Sequence, residues 1–177
     1  MTAAATDDAA LVRRAAGGDV LAFETLVRRH TDAVWRVARS MLRDDFAAEE
    51  AVQDTFLRAY RALGTFRGDA AVRTWLVSIC TRVCVDRLRL RRPEVVPLEE
   101  AAARRTAPDP DDRVQLDAAV RGLAPDERAA FLLVDVLGYT SGEAAAVAGA
   151  PASTLRSRLG RAREQLAAAL APAGVER

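Results

Sequence analysis

Lysine is absent from the 177 residues, so all 26 basic side chains are arginine, set against 25 acids for a formal net charge of +1. Cysteine is scarce. Cys80 and Cys84 are too few for a disulfide framework, and no histidine or further cysteine stands near them to complete a zinc site. His30 is the only histidine and has no second one for metal or base chemistry. Aromatic residues make up 5% and strand formers are few, which excludes an all-β sandwich. No apolar run approaches the roughly 20 residues needed to cross a bilayer. The opening MTAAATDDAA carries acid where a secretory leader carries base. No membrane insertion and a cytoplasmic location are therefore expected. Also missing are a Gly-rich phosphate loop, GxSxG and HExxH. No catalytic residue, metal site or cofactor is expected, and the chain does not read as an enzyme.

What the chain has in plenty is alanine, 38 residues of it, and arginine, both strong helix formers. The expected fold class is all-α. A length of 177 residues allows one medium domain or two small ones. The charge divides by segment. Residues 11–92 hold 16 Arg and 10 acids, net +6; residues 93–112 hold 2 Arg and 6 acids, net −4; residues 113–177 hold 8 Arg and 7 acids, net +1. Such asymmetry points to separate surfaces for separate partners.

Four of the seven prolines, at 93, 97, 108 and 110, fall in PEVVPLEEAAARRTAPDPDD. Proline removes a backbone donor and pushes the preceding residue out of the helical region. Residues 93–112 therefore read as a flexible acidic linker between two small helical domains, 11–92 and 113–170. Before the linker, four apolar stripes recur at helical spacing: Leu21-Phe23-Leu26-Val27, Val34-Val37-Ala38-Met41-Leu42, Val52-Phe56-Ala59-Leu63 and Trp75-Val77-Ile79-Val83-Leu88. Gly64 to Asp69 marks an ordered loop between the third and fourth. After the linker, Pro125-Asp126-Glu127 opens a helix that Gly138 ends. Thr140 and Glu143 form a capping-box pattern for a short Ala-rich helix stopping at Gly149. A last helix runs on to Leu170, which makes a helix-turn-helix.

That last helix buries Leu155, Leu159 and Leu166 and turns Ser153, Thr154, Arg156, Ser157, Arg158 and Arg161 outward. In a helix-turn-helix the first residues of the second helix reach base edges and later cations fall on phosphates. The plain alternative is a solvated basic helix closing a bundle. Arg87, Arg89, Arg91 and Arg92 crowd the end of the fourth stripe. Favourable charge at a helix C-terminus accounts for one or two of them, and a phosphate-contacting patch accounts for four. Over residues 47–58 one helix face is acidic, with Glu49, Glu50, Gln53 and Asp54 beside Leu57, and fits a cationic protein partner better than DNA. An Asp54–Arg58 surface pair is the ordinary reading. Phe66 lies in the glycine-bounded loop near Arg67 and Arg73, where an aromatic can stack on an unpaired base. Trp75 fits core packing better. Cys80 and Cys84 fit buried free thiols, and His30 is expected on a polar face.

AEEAVQDTFLRAYRAL (48–63), TFRGDAAVRTWLVSICTRVCVDRLR (65–89) and LAPDERAAFLLVDVLGYTSGEAAAVAGAPASTLRSRLGRAREQL (123–166) closely resemble, in order and spacing, the extracytoplasmic-function branch of the sigma-70 family. These are bacterial RNA polymerase sigma factors reduced to two helical domains. The resemblance implies a transcription initiation factor that binds core RNA polymerase and directs it to promoter DNA. It implies that Glu49, Glu50, Gln53, Asp54 and Leu57 dock on the clamp helices of the largest polymerase subunit. It implies that Phe66, Arg67, Asp69, Arg73, Trp75, Arg82, Arg87 and Arg89 recognise and open the minus-ten element. Ser153, Thr154, Arg156, Ser157, Arg158 and Arg161 would read the minus-thirty-five element as duplex. The linker would thread through polymerase, and an anti-sigma factor would be an inhibitory partner. Arg82 stands where many members have Asn, and Ser153 replaces a Gly of the usual turn. The rival is a stand-alone dimeric helix-turn-helix repressor, which has no use for the acidic helix face or the melting loop.

Overall fold

The computed structural model describes residues 3–90 and 112–171. The linker expectation falls outside them except for Asp112, the first residue of a helix, and so do Arg91 and Arg92. The described residues form eight α-helices and no strand: α1 (Ala3–Ala16), α2 (Val20–Leu42), α3 (Asp45–Ala62), α4 (Val72–Leu90), α5 (Asp112–Gly122), α6 (Pro125–Phe131), α7 (Ser141–Ala148) and α8 (Ala152–Leu170). A 3-10 turn, Leu63–Thr65, follows α3, and α6 runs on as a π-helical segment, Leu132–Val136.

Short polar side chains set the helix starts. Asp19 accepts the Ala22 amide at 3.1 Å and Asp44 the Ala47 amide at 2.8 Å. Thr140 and Glu143 form the expected reciprocal capping box. Each such cap is worth about 1 kcal/mol. Helix α7 ends at Gly149 with φ of 62°, a left-handed angle that glycine adopts freely. Helix α2 ends at Arg43 with φ of 55°, the only non-glycine residue with positive φ among the described residues.

Helices α2, α3 and α4 pack around Leu26, Val34, Met41, Leu76, Val77 and Val83, all buried. The inner face of α3 is small, with Ala47, Ala48, Ala51 and Ala59, and so admits its neighbours closely. Thr55 sits among them and satisfies its hydroxyl by donating to the Ala51 carbonyl at 2.6 Å. Cys80 and Cys84 are buried free thiols, as expected. The Cys84 thiol is pushed up by its contact with Cys80 and by burial, which keeps it protonated.

Two expectations for α2 fail. Leu21 is 71% exposed, because Ala22 and Leu26 take the inward positions of α2. His30 is buried rather than on a polar face, with its Nε2 2.9 Å from Asp8, whose other carboxylate oxygen accepts from Arg29. That cluster ties α1 across α2.

The two halves also touch. Helices α6 and α7 lie against α4, and one apolar cluster runs from α1 through Ala129, Leu132, Leu133, Val147 and Leu155. Arg128 crosses the junction with its guanidinium buried. It donates to the Met41 carbonyl at 2.9 Å at the C-terminal end of α2, and also to the carbonyls of Arg121 and Leu123. Burial, with Arg43 and Arg121 nearby, lowers its pKa to about 10. Ala144 and Ala145 of α7 are buried and Ala146 is exposed.

Candidate nucleic-acid interface

The outward side of α3 is built by elimination. With Ala47, Ala48, Ala51, Thr55, Phe56 and Ala59 turned in, Glu49, Gln53 and Leu57 stand exposed, and Glu50 and Asp54 half-exposed beside them. Glu50 is held by Arg87 at 2.8 Å and Asp54 by Arg58 at 3.1 Å. One residue on this side was not picked out from the sequence. Phe46 is 71% exposed and lies in register with Glu50, Gln53 and Leu57 at offsets of four, seven and eleven residues. Tyr60 extends the stripe, edge-on to Phe23 with ring centroids 5.0 Å apart. An apolar residue in the first turn of an amphipathic helix reads as core, so only its exposure reveals it.

The loop after α3 and the start of α4 enclose a cleft of about 240 Å³. Phe66 and Trp75 line it with ring centroids 5.1 Å apart and planes inclined by 52°. Arg67 and Asp69 stand at its rim, and Gly68 makes the bend at φ of 79°. Trp75 is half-buried, so it serves the core and the cleft together. The far wall is Ala146 and Val147 of α7. Arg73 is exposed in the first turn of α4.

The arginines expected to form one patch at the end of α4 divide. Arg87 turns to α3 and Glu50, whereas Arg89 meets Asp126 of α6 at 2.7 Å. Arg82 shares the Arg89 side of the helix and places its guanidinium against Gly149, 3.3 Å from where a β-carbon would stand. Helical spacing alone cannot separate them, because the division depends on which neighbour each face meets.

Helix α8 buries Leu155, Leu159, Ala162 and Leu166. Ser153, Arg156 and Ser157 are exposed and Thr154 half-buried, forming the outward surface of its first two turns. Arg158 leans to one flank, 3.3 Å from Asp126, and Arg161 meets Glu127 at 3.1 Å. Arg163 makes a two-pronged pair with Asp135 of the π-helical segment at 2.6 and 3.0 Å.

Family models match two stretches of the chain, sigma-70 region 2 over residues 26–94 and sigma-70 region 4 over residues 113–166. The ECF RNA polymerase sigma factor SigM of Mycobacterium tuberculosis is 39% identical, covering 90% of this chain and 83% of its own length. SigC of the same organism is 37% identical over 97% of each chain. Among solved structures, CnrH in complex with the cytosolic domain of CnrY is similar at a TM-score of 0.68 and 32% identity, covering 93% of this chain and 97% of that one. RpoE of Bartonella quintana in complex with the anti-sigma factor NepR is similar at a TM-score of 0.63 and 25% identity, covering 88% of this chain and 98% of that one.

Proposed function

The chain belongs to the extracytoplasmic-function branch of the sigma-70 family, transcription initiation factors that direct RNA polymerase to promoters, and we propose which of its surfaces meets which partner. The two matched regions give no support to a dimeric repressor.

The acidic side of α3, with Glu49, Glu50, Gln53, Asp54 and Leu57, is the polymerase-docking surface. Charge of this sign repels DNA and steers a basic partner, and exposed Phe46 beside it supplies an apolar anchor of the kind that carries interface energy. The cleft holding Phe66 and Trp75 takes an unpaired base of the minus-ten element. Aromatic stacking is worth about 1–3 kcal/mol per base and tolerates any base, while Arg67, Asp69 and Arg73 supply polar contacts at the rim. Arg82, Arg87 and Arg89 serve the same strand's backbone. Ser153, Thr154, Arg156 and Ser157 read the minus-thirty-five duplex, and Arg158 and Arg161 hold its phosphates.

Residues 11–92 thus carry polymerase docking and minus-ten opening, and residues 113–170 the duplex contact. The protein does this in the cytoplasm without an enzymatic step of its own. An anti-sigma factor is a further partner, by likeness to RpoE with NepR.

The observation that carries this reading is the placement of the acidic side of α3 and the Phe66–Trp75 ring pair on one half, and of the arginine helix α8 on the other. Glu50→Arg with Asp54→Arg should weaken assembly with core polymerase at least tenfold, measured by fluorescence titration. Gln53→Ala, which breaks neither ion pair, should weaken it less while leaving the circular dichroism spectrum unchanged. Assembly at wild-type affinity in both variants overturns the assignment.

A further inference from the structure

Cys80 and Cys84 belong to none of the surfaces assigned above. They stand one turn apart on α4, both without exposed surface, and each thiol meets the other. Cys80 also donates from Sγ to the Val34 carbonyl of α2 at 3.6 Å and lies against Thr55 of α3. The pair thus sits where three helices join, closed to water.

Two neighbouring thiols can form a disulfide or hold a metal ion between them, and helix geometry separates these outcomes. Residues four apart on a helix carry β-carbons about 5–6 Å apart, whereas a disulfide draws them to about 3.8 Å. A disulfide here would have to break a turn of α4. Zinc–thiolate bonds are about 2.3 Å, and two metal–sulfur bonds of that length in line span roughly 4.6 Å. That span leaves the helix intact.

The donor count then selects the ion. Structural zinc takes four ligands and iron–sulfur clusters four cysteines, but among the described residues no group of three or more His, Cys, Asp or Glu could hold a metal. Soft thiolates without further donors suit copper(I). The surrounding apolar cluster, which includes Val34, Val77 and Val83, keeps water from adding as another ligand.

Charge agrees. On binding, two S–H bonds break, both protons leave to solvent and two sulfur–copper bonds form, so a neutral pair becomes a site with one negative charge. A buried anion needs a partner. Arg87, one turn beyond Cys84, exerts its charge on that thiol. Its guanidinium is held 2.8 Å from Glu50 of α3, which fixes a cation beside the sulfurs.

We propose that Cys80 and Cys84 form a two-coordinate site for copper(I), with Arg87 as the neighbour that balances its charge. The assignment is independent of which surface meets polymerase or DNA.

The test titrates the reduced full chain with copper(I) supplied from a coloured chelator. One ion per chain should transfer, X-ray absorption should show two sulfur neighbours alone, and the thermal midpoint should rise on loading. Cys80→Ser and Cys84→Ser should each lower affinity roughly a hundredfold. Arg87→Ala, which keeps both sulfurs, should lower it roughly tenfold, as loss of an outer partner does, and Arg87→Lys should restore most of that. Zinc(II) should not bind. A wild-type midpoint that copper leaves unmoved overturns the site without recourse to any variant. So does uptake that persists in the double serine variant, a third ligand in the absorption spectrum, or zinc bound as tightly as copper. Unchanged affinity in Arg87→Ala overturns its charge-balancing role. A loss of two mass units with a hydroperoxide, in a chain that takes up no copper, assigns the pair to a disulfide and overturns the proposal.

Discussion

The first half of the molecule hides bulky side chains from three long helices, among them Leu26, Val34, Met41, Leu76 and Val83. Among the described residues, the second half has a private cluster of Val120, Leu123, Ala162 and Leu166. Its remaining buried residues, Ala129, Leu132, Leu133, Val147 and Leu155 among them, belong to the cluster that continues into the first half. Burial stabilises in proportion to apolar area, so the first half has a core sufficient to itself and the second completes its core by docking. On the proposed assignment, the surface that holds polymerase and a melted strand is the one with the rigid support.

The largest expected effect falls on the junction. Arg128→Ala leaves the Met41, Arg121 and Leu123 carbonyls short of a donor, a loss of about 3 kcal/mol by the cost of unsatisfied buried groups. Native-state hydrogen exchange should show protection falling across α5 to α8 while the inner amides of α2 and α4 keep theirs. An equal fall in both halves would break the contrast. A smaller effect is expected at α3. Phe46→Ala should leave stability within about 0.5 kcal/mol, as for an exposed surface site. It should weaken polymerase binding about tenfold, close to 1.4 kcal/mol. Binding unchanged by titration would remove Phe46 from the docking surface.

The smallest effect concerns the cap of α7. The backbone amide of Thr140 and its hydroxyl both donate to Glu143 and hold its carboxyl below the ordinary glutamate range. A lowered folded-state pKa means stability fully present above the ordinary value and lost as pH falls through the lowered one. Glu143→Gln should flatten the acid limb of thermal unfolding for the second half alone. An acid limb identical to wild type would show that this cap does not carry it.

Much of this contrast is written in local sequence. Helix starts at Thr140 and Pro125, the stop at Gly149 and the inward leucines of α8 follow from spacing and capping chemistry. The acidic side of α3 is legible because its alanines can only face inward. The docking of the halves is not. Arginine is almost never fully buried unless its charge is met, so nothing in the run around Arg128 announces that its donors meet the end of a helix 87 residues earlier. His30 was misplaced for the same reason: its partner, Asp8, lies 22 residues before it. Ser153 and Arg82, two departures from the family pattern, stand exposed in the first turn of α8 and against Gly149 respectively.

Arg43 gathers these threads at one backbone angle. A residue with a β-carbon in the left-handed region costs about 1 kcal/mol more than the right-handed alternative. Arg43 is kept there while its guanidinium reaches Asp117 at 2.7 Å and its carbonyl accepts from Arg121 at 3.2 Å, both on α5. A local torsion is thus pinned by a helix from the far side of the linker. Should the halves part, that torsion loses its restraint. The carbon-13 shift of one α-carbon then serves as a gauge of whether the molecule is shut.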